Sequence, residues 1–129
     1  MNRLLNLGLL IAFQFCYLEW PNHSMFVFEA EYDIFSKTES LFNNLMHPII
    51  LLGLITQLLL FLGFVLKYFN KKTNNITVLL LSILVLFIFL IGILDWNYKI
   101  ITSTTPFLIL AGIYFNKMRK IKKYNYEKK

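Results

Sequence analysis

The chain has 129 residues, of which 57% are hydrophobic and 16% charged, with a formal net charge of +6. That much apolar surface exceeds what a soluble core of this length can hide, because small domains leave a large share of their surface exposed. The single cysteine, Cys16, excludes an internal disulfide and the paired-thiol chemistry of a quinone-linked disulfide oxidase.

Apolar runs cover residues 4–18, 49–66, 76–94 and 100–115. A hydrocarbon layer about 30 Å thick needs roughly 20 helical residues, so the second and third runs reach across it unaided. Summed insertion propensities for the Leu, Ile, Val and Phe of the third run come to about −5 to −10 kcal/mol. The first and fourth runs are shorter and borrow flanking residues, Glu19 and Trp20 in one case, Tyr98 and Lys99 in the other. The expected fold is an all-α integral membrane protein: one polytopic domain with four transmembrane helices in a bundle and a partly ordered outer loop at 20–47.

In chain order, Arg3 followed by Leu4, Leu5, Leu7, Leu9, Leu10 and Ile11 has the form of a signal sequence. Its far end, from Phe13 through Cys16 to Trp20, is bulky where signal or lipoprotein peptidases need small residues, so an uncleaved signal anchor is expected. In the outer loop, Glu29, Glu31 and Asp33 alternate with Ala30, Tyr32 and Ile34, which predicts an extended segment with the carboxylates on one face. Ser36, Lys37, Thr38 and Glu39 fit a capping box. Leu41, Phe42, Leu45 and Met46 behind it predict a short amphipathic helix on the outer interface. Pro48 suits the first turn of the second span. Residues 67–75 form a polar turn, and the five-residue link 95–99 makes the last two spans an antiparallel hairpin with Trp96 and Tyr98 at the headgroup level. Tyr17 and Trp20 mark the same level at the first span.

Charge sets the orientation. Eleven of the thirteen Lys and Arg residues (Arg3, Lys67, Lys71, Lys72, Lys117, Arg119, Lys120, Lys122, Lys123, Lys128 and Lys129) fall on one side of these spans. Six of the seven carboxylates (Glu19, Glu29, Glu31, Asp33, Glu39 and Asp95) fall on the other. The positive-inside rule makes both termini cytoplasmic, and a bacterial inner (plasma) membrane is the expected location. The basic tail at 116–129 is read as anchoring to the lipid bilayer, not as nucleic-acid binding.

Concentrated chemistry lies outside. Glu19, Trp20, His23, Glu29, Glu31, Asp33, His47, Asp95 and Trp96 form a candidate patch for a protein partner or a ligand. No metal site is expected, since the chain has no HExxH, tight His pair or calcium-loop pattern. No cofactor and no catalytic motif are read, so the chain is not expected to be an enzyme. Embedded polar candidates are Gln14, Gln57, Thr102 and Thr105, with Thr56, Ser82, Ser103 and Thr104 beside them. The two glutamines are expected to hydrogen-bond between spans. The Thr and Ser run is expected to satisfy the carbonyl of Thr102, which Pro106 cannot serve. No ionisable residue falls within the middle of a span, which argues against a proton-coupled pump.

The chain is similar in size and in its four expected spans to the small multidrug-resistance transporters. Their essential carboxylate lies within the first span, whereas here that centre reads Leu10, Ile11, Ala12 and Phe13, with Glu19 at the outer end. The resemblance therefore brings no site residue. The functional expectation is a non-enzymatic accessory or scaffold subunit that docks an envelope partner, or a second copy of itself, through the outer loop. The alternatives are a small transport or ligand-binding protein using the outer-half polar residues and, more weakly, a haem- or quinone-associated subunit.

Overall fold

The computed structural model describes residues 3–20, 23–36, 48–66 and 70–127. It is mostly helical: α1 (Arg3–Gln14), α2 (Val27–Ser36), α3 (Pro48–Val65), α4 (Lys71–Leu94) and α5 (Tyr98–Glu127). A two-stranded hairpin, β1 (Tyr17–Trp20) and β2 (His23–Phe26), stands between α1 and α2. Lys71–Leu94 and Tyr98–Tyr124 are long and apolar enough to cross a membrane, while α1 and Leu51–Val65 are shorter apolar helices.

The expected first span at 4–18 is cut short. The helix stops at Gln14 and the chain turns, with the Cys16 amide donating to the Phe13 carbonyl at 3.0 Å. Tyr17 onward then pairs as a strand, in register Tyr17 with Phe26 and Glu19 with Ser24. Aromatic and β-favouring residues at 15–18 find more partners in a hairpin than in a continued helix. The rings of Tyr17 and Phe26 meet edge to face at 5.3 Å.

The extended segment expected over residues 29–34 is a helix instead. Val27 and Ile34 are its buried residues, seven apart and so on one face. The Glu29 carboxylate accepts from the Phe26 amide at 2.8 Å, half of a capping box at the helix start. The alternation of charge along 29–34 is real, but burial of Val27 and Ile34 together overrides it. Ser36 ends this helix, and the rest of its expected capping box, the amphipathic helix at 41–46 and His47 lie outside the described residues.

α4 starts at Lys71, not at 76. Asn70 caps it, accepting from the Lys72 amide at 3.0 Å. Its buried stripe runs Asn74, Thr77, Val78, Leu81, Ser82, Val85, so polar residues read as a turn are the first part of the helix's inner face. At the far end the Trp96 and Asn97 amides donate back to Ile93 and Gly92 carbonyls at 3.2 and 2.8 Å. Trp96 has a φ of 52°, so the end is a Schellman motif with tryptophan where glycine is usual. Asn97 then caps α5, accepting from the Lys99 amide at 3.1 Å. α5 buries Ile100, Thr104, Phe107, Ala111 and Tyr114 on one stripe and remains helical to Glu127, so residues expected as a basic tail are helix.

α1 packs against α3 and α5, and α4 lies against α3 and α5. The contacts fix the directions. Asn6 meets Asn74 near the start of α4, Phe13 meets Phe107, and the Tyr17 amide donates to the Ser103 hydroxyl at 2.9 Å. Progress along α1 is thus regress along α5. One end of the bundle carries Arg3, Lys71, Lys72, Lys117, Arg119, Lys120, Lys122 and Lys123, and the other carries Glu19 and Asp95.

The exterior is apolar, and the core mixes apolar side chains such as Leu9, Leu81 and Phe107 with polar ones. Asn6, Thr56, Gln57, Asn74, Thr77, Ser82 and Thr104 are buried, while Leu58, Ile83, Phe87 and Leu90 face outward, each more than half exposed.

Candidate functional site

Three elements converge on one carboxylate. Gln14 closes α1, Gln57 sits halfway along α3, and Glu31 comes from α2, a segment outside every apolar run. The Gln14 amide donates to Glu31 Oε2 at 3.0 Å and to Gln57 Oε1 at 2.5 Å. The Gln57 amide donates in turn to Glu31 Oε1. The sequence led to the expectation that each glutamine hydrogen-bonds between spans, without naming the partners; the structure pairs the two with each other and with Glu31.

The fold of α2 causes this. With Val27 and Ile34 turned inward, Glu31 falls on the same side of the helix, one turn from each. Glu31 and Gln57 border a cavity of about 220 Å³ whose exposed wall is almost wholly apolar. Its remaining wall includes Phe13, Leu18, Val27, Ile34, Leu54 and Leu84. Leu84 and Ile88 lie ten and six residues before the end of α4 at Leu94, so at about 1.5 Å per residue the cavity sits roughly 9–15 Å below that end.

Among the described residues no group of three His, Cys, Asp or Glu side chains could hold a metal. Each oxygen of Glu31 accepts one N–H from a glutamine amide, which orients the carboxyl group. An apolar body fits this wall, and a cationic or hydrogen-bond-donating group on it would reach the carboxylate by displacing one of the two glutamine amides.

The rest of the predicted patch is spread across the same end of the molecule. Glu19 is exposed and accepts from the Asn97 amide at 2.5 Å, joining β1 to the α4–α5 turn. His23, Glu29 and Asp33 line a shallow groove with Phe28 and Tyr32, away from the cavity. Trp20 is the last residue of β1, opposite His23 in the hairpin register. Asp95 and Trp96 are exposed at the turn itself.

Thr102 and Thr105 face outward, not into the bundle; Thr104 is the buried member of the run. The hydroxyls of Thr102, Ser103, Thr104 and Thr105 donate to carbonyls of residues 98 to 101, one turn earlier, and not to the Thr102 carbonyl that Pro106 leaves open. In a helix a hydroxyl reaches back three or four residues, so Thr105 is the member of the run within reach of the Thr102 carbonyl, and it donates to Ile101 instead. Ser103 has the added task of accepting from Tyr17.

A second polar cluster was missed. Asn6 and Asn74 exchange amide hydrogen bonds at 2.7 and 3.3 Å, Asn74 also donates to Tyr114 Oη at 2.7 Å, and Tyr114 donates to Asn75 Oδ1 at 2.6 Å. Asn6 lay in plain view inside the first apolar run, and its lone amide among leucines was the available signal. No known protein family, curated protein or solved structure matches the chain.

Proposed function

We propose that the chain is a four-span integral membrane protein with both termini cytoplasmic, and that it binds a small amphipathic cation in the cavity beside Glu31, as a ligand-binding or transport protein. Burial of polar residues beneath an apolar exterior supports the membrane reading, since lipid rewards outward Leu, Ile and Phe and internal hydrogen bonds satisfy the rest. The alternating direction of α1, α3, α4 and α5 and the collection of cations at one end support four spans with the basic end inside.

The observation that carries the ligand reading is Glu31 itself, a carboxylate held by two neutral amides at the edge of an apolar cavity. Ionisable groups within a bilayer are costly and mark pathways or binding sites. The docking reading draws less support from the geometry, because the acidic patch is divided among a helix cap, a loop tie and this cavity. A cavity of about 220 Å³ suits a molecule somewhat larger than benzene, which occupies engineered cavities of roughly 150 Å³.

Benzyltrimethylammonium and its uncharged isostere neopentylbenzene separate charge from shape. The cation should bind the detergent-purified protein saturably and raise its melting temperature, with affinity about tenfold above the isostere. Glu31→Gln should remove that preference, and Gln57→Leu should weaken cation binding by releasing the carboxylate. Equal affinity for the two probes, or a preference untouched by Glu31→Gln, overturns the reading.

A further inference from the structure

At the basic end, α4 and α5 leave an open groove of about 640 Å³ lined by Lys71, Asn75 and Leu79 on one side and by Phe115, Met118, Arg119, Ile121 and Lys122 on the other. The lining contains three cations and no carboxylate. We propose that this groove is a binding site for one molecule of anionic phospholipid, its headgroup phosphate between Lys71, Arg119 and Lys122 and an acyl chain along Leu79 and Phe115.

The order of residues carries the inference. Along α4 the lining runs from Lys71 through Asn75 to Leu79, on successive turns of one face, from charged to amide to apolar over about 12 Å. Along α5 it runs the same way in reverse, from Lys122, Ile121 and Arg119 through Met118 to Phe115, with Ile121 the one apolar residue at the cationic end. Both walls therefore change from cationic to apolar in the same direction, which is the polarity profile of a phospholipid from phosphate to chain. The wall is also anchored: Asn75 accepts from Tyr114, whose hydroxyl is held by buried Asn74 and through it by Asn6. Arginine adds planar, paired donors suited to phosphate oxygens. Lys72, Lys117 and Lys120 are exposed, stand outside this lining and supply an internal control of equal charge.

The inference rests on the four-span reading, which brings this end to the anionic cytoplasmic leaflet. Full-length protein in detergent, titrated with phosphatidylglycerol or phosphatidylcholine and read by native mass spectrometry, should retain phosphatidylglycerol about tenfold more tightly. The triple variant Lys71→Gln, Arg119→Gln, Lys122→Gln should fall to the phosphatidylcholine level, while Lys72→Gln, Lys117→Gln, Lys120→Gln keeps the preference. Leu79→Trp, an exposed position that tolerates bulk, should reduce retention by blocking the chain end. Millimolar inorganic phosphate should not displace the lipid. Equal losses in both triple variants, equal retention of phosphatidylcholine, or displacement by phosphate overturns the site. A reporter fused after Lys129 separates the two readings: a non-cytoplasmic signal defeats the four-span topology, whereas a cytoplasmic one with no lipid preference defeats the groove alone.

Discussion

Asn74 does more than any other side chain to join the basic end of the bundle. It exchanges hydrogen bonds with Asn6 and donates to Tyr114, so α1, α4 and α5 meet in one fully buried network. Removing it leaves an amide and a hydroxyl without these partners, at about 1–3 kcal/mol for a buried polar group. Asn74→Leu should therefore lower stability by that amount in reversible denaturant unfolding. Because two amides that lose each other together cost less than one left alone, Asn6→Leu combined with Asn74→Leu should fall short of additivity by about 1 kcal/mol. Strict additivity would mean that the two amides do not act on one another. Asn6 carries a sequence signal as a lone amide among leucines, but Asn74 does not: it sits in a Lys, Asn and Thr stretch whose composition reads as a turn, and only the cap at Asn70 carries the helix back through it.

At the scale of the elements, Gly92 lets α4 and α5 approach closely in their hairpin. A Cβ built on Gly92 would lie 2.8 Å from Ile100 Cγ2 and 2.9 Å from Ile100 Cβ. The obstructing atoms belong to a branched side chain at its root, which cannot swing aside. Gly92→Ala should therefore cost about 1–3 kcal/mol through overpacking. Adding Ile100→Ala should recover part of that loss, a reversal read in the same unfolding assay. If Gly92→Ala is silent, the helices do not approach as closely as described. The hairpin itself was readable from the short polar link at 95–99. Its closeness was not, because a glycine in an apolar run signals contact only when the facing residue is known. For α2 the local signal even pointed the wrong way: alternation at 29–34 describes the charges, whereas burial of Val27 and Ile34 decides the conformation.

For the molecule as a whole, the distribution of charge is the testable property. Cations gather where α1 and α4 begin and α5 ends, and carboxylates gather at the hairpins opposite. A reporter inserted near Lys37 should read as outside, and one after Lys129 as cytoplasmic; the reverse pair would invert the proposed map. The same polarity gives the two proposed sites different surroundings, with a single carboxylate facing an apolar cavity toward the acidic end and three cations bordering a groove at the basic end.

Composition, the apolar runs and the charge partition determined by themselves that the chain is helical, where α3 and most of α4 and α5 lie, and which ends carry which charge. These are properties of solvation, which each segment expresses alone. Only tertiary structure decided that α1 stops at Gln14, that Asn6 and Asn74 share a core, and that Glu31 leaves the outer patch for the space between Gln14 and Gln57. A carboxylate's address depends on which face of its helix is buried. That face is chosen by packing against residues elsewhere in the chain, beyond the reach of any local pattern.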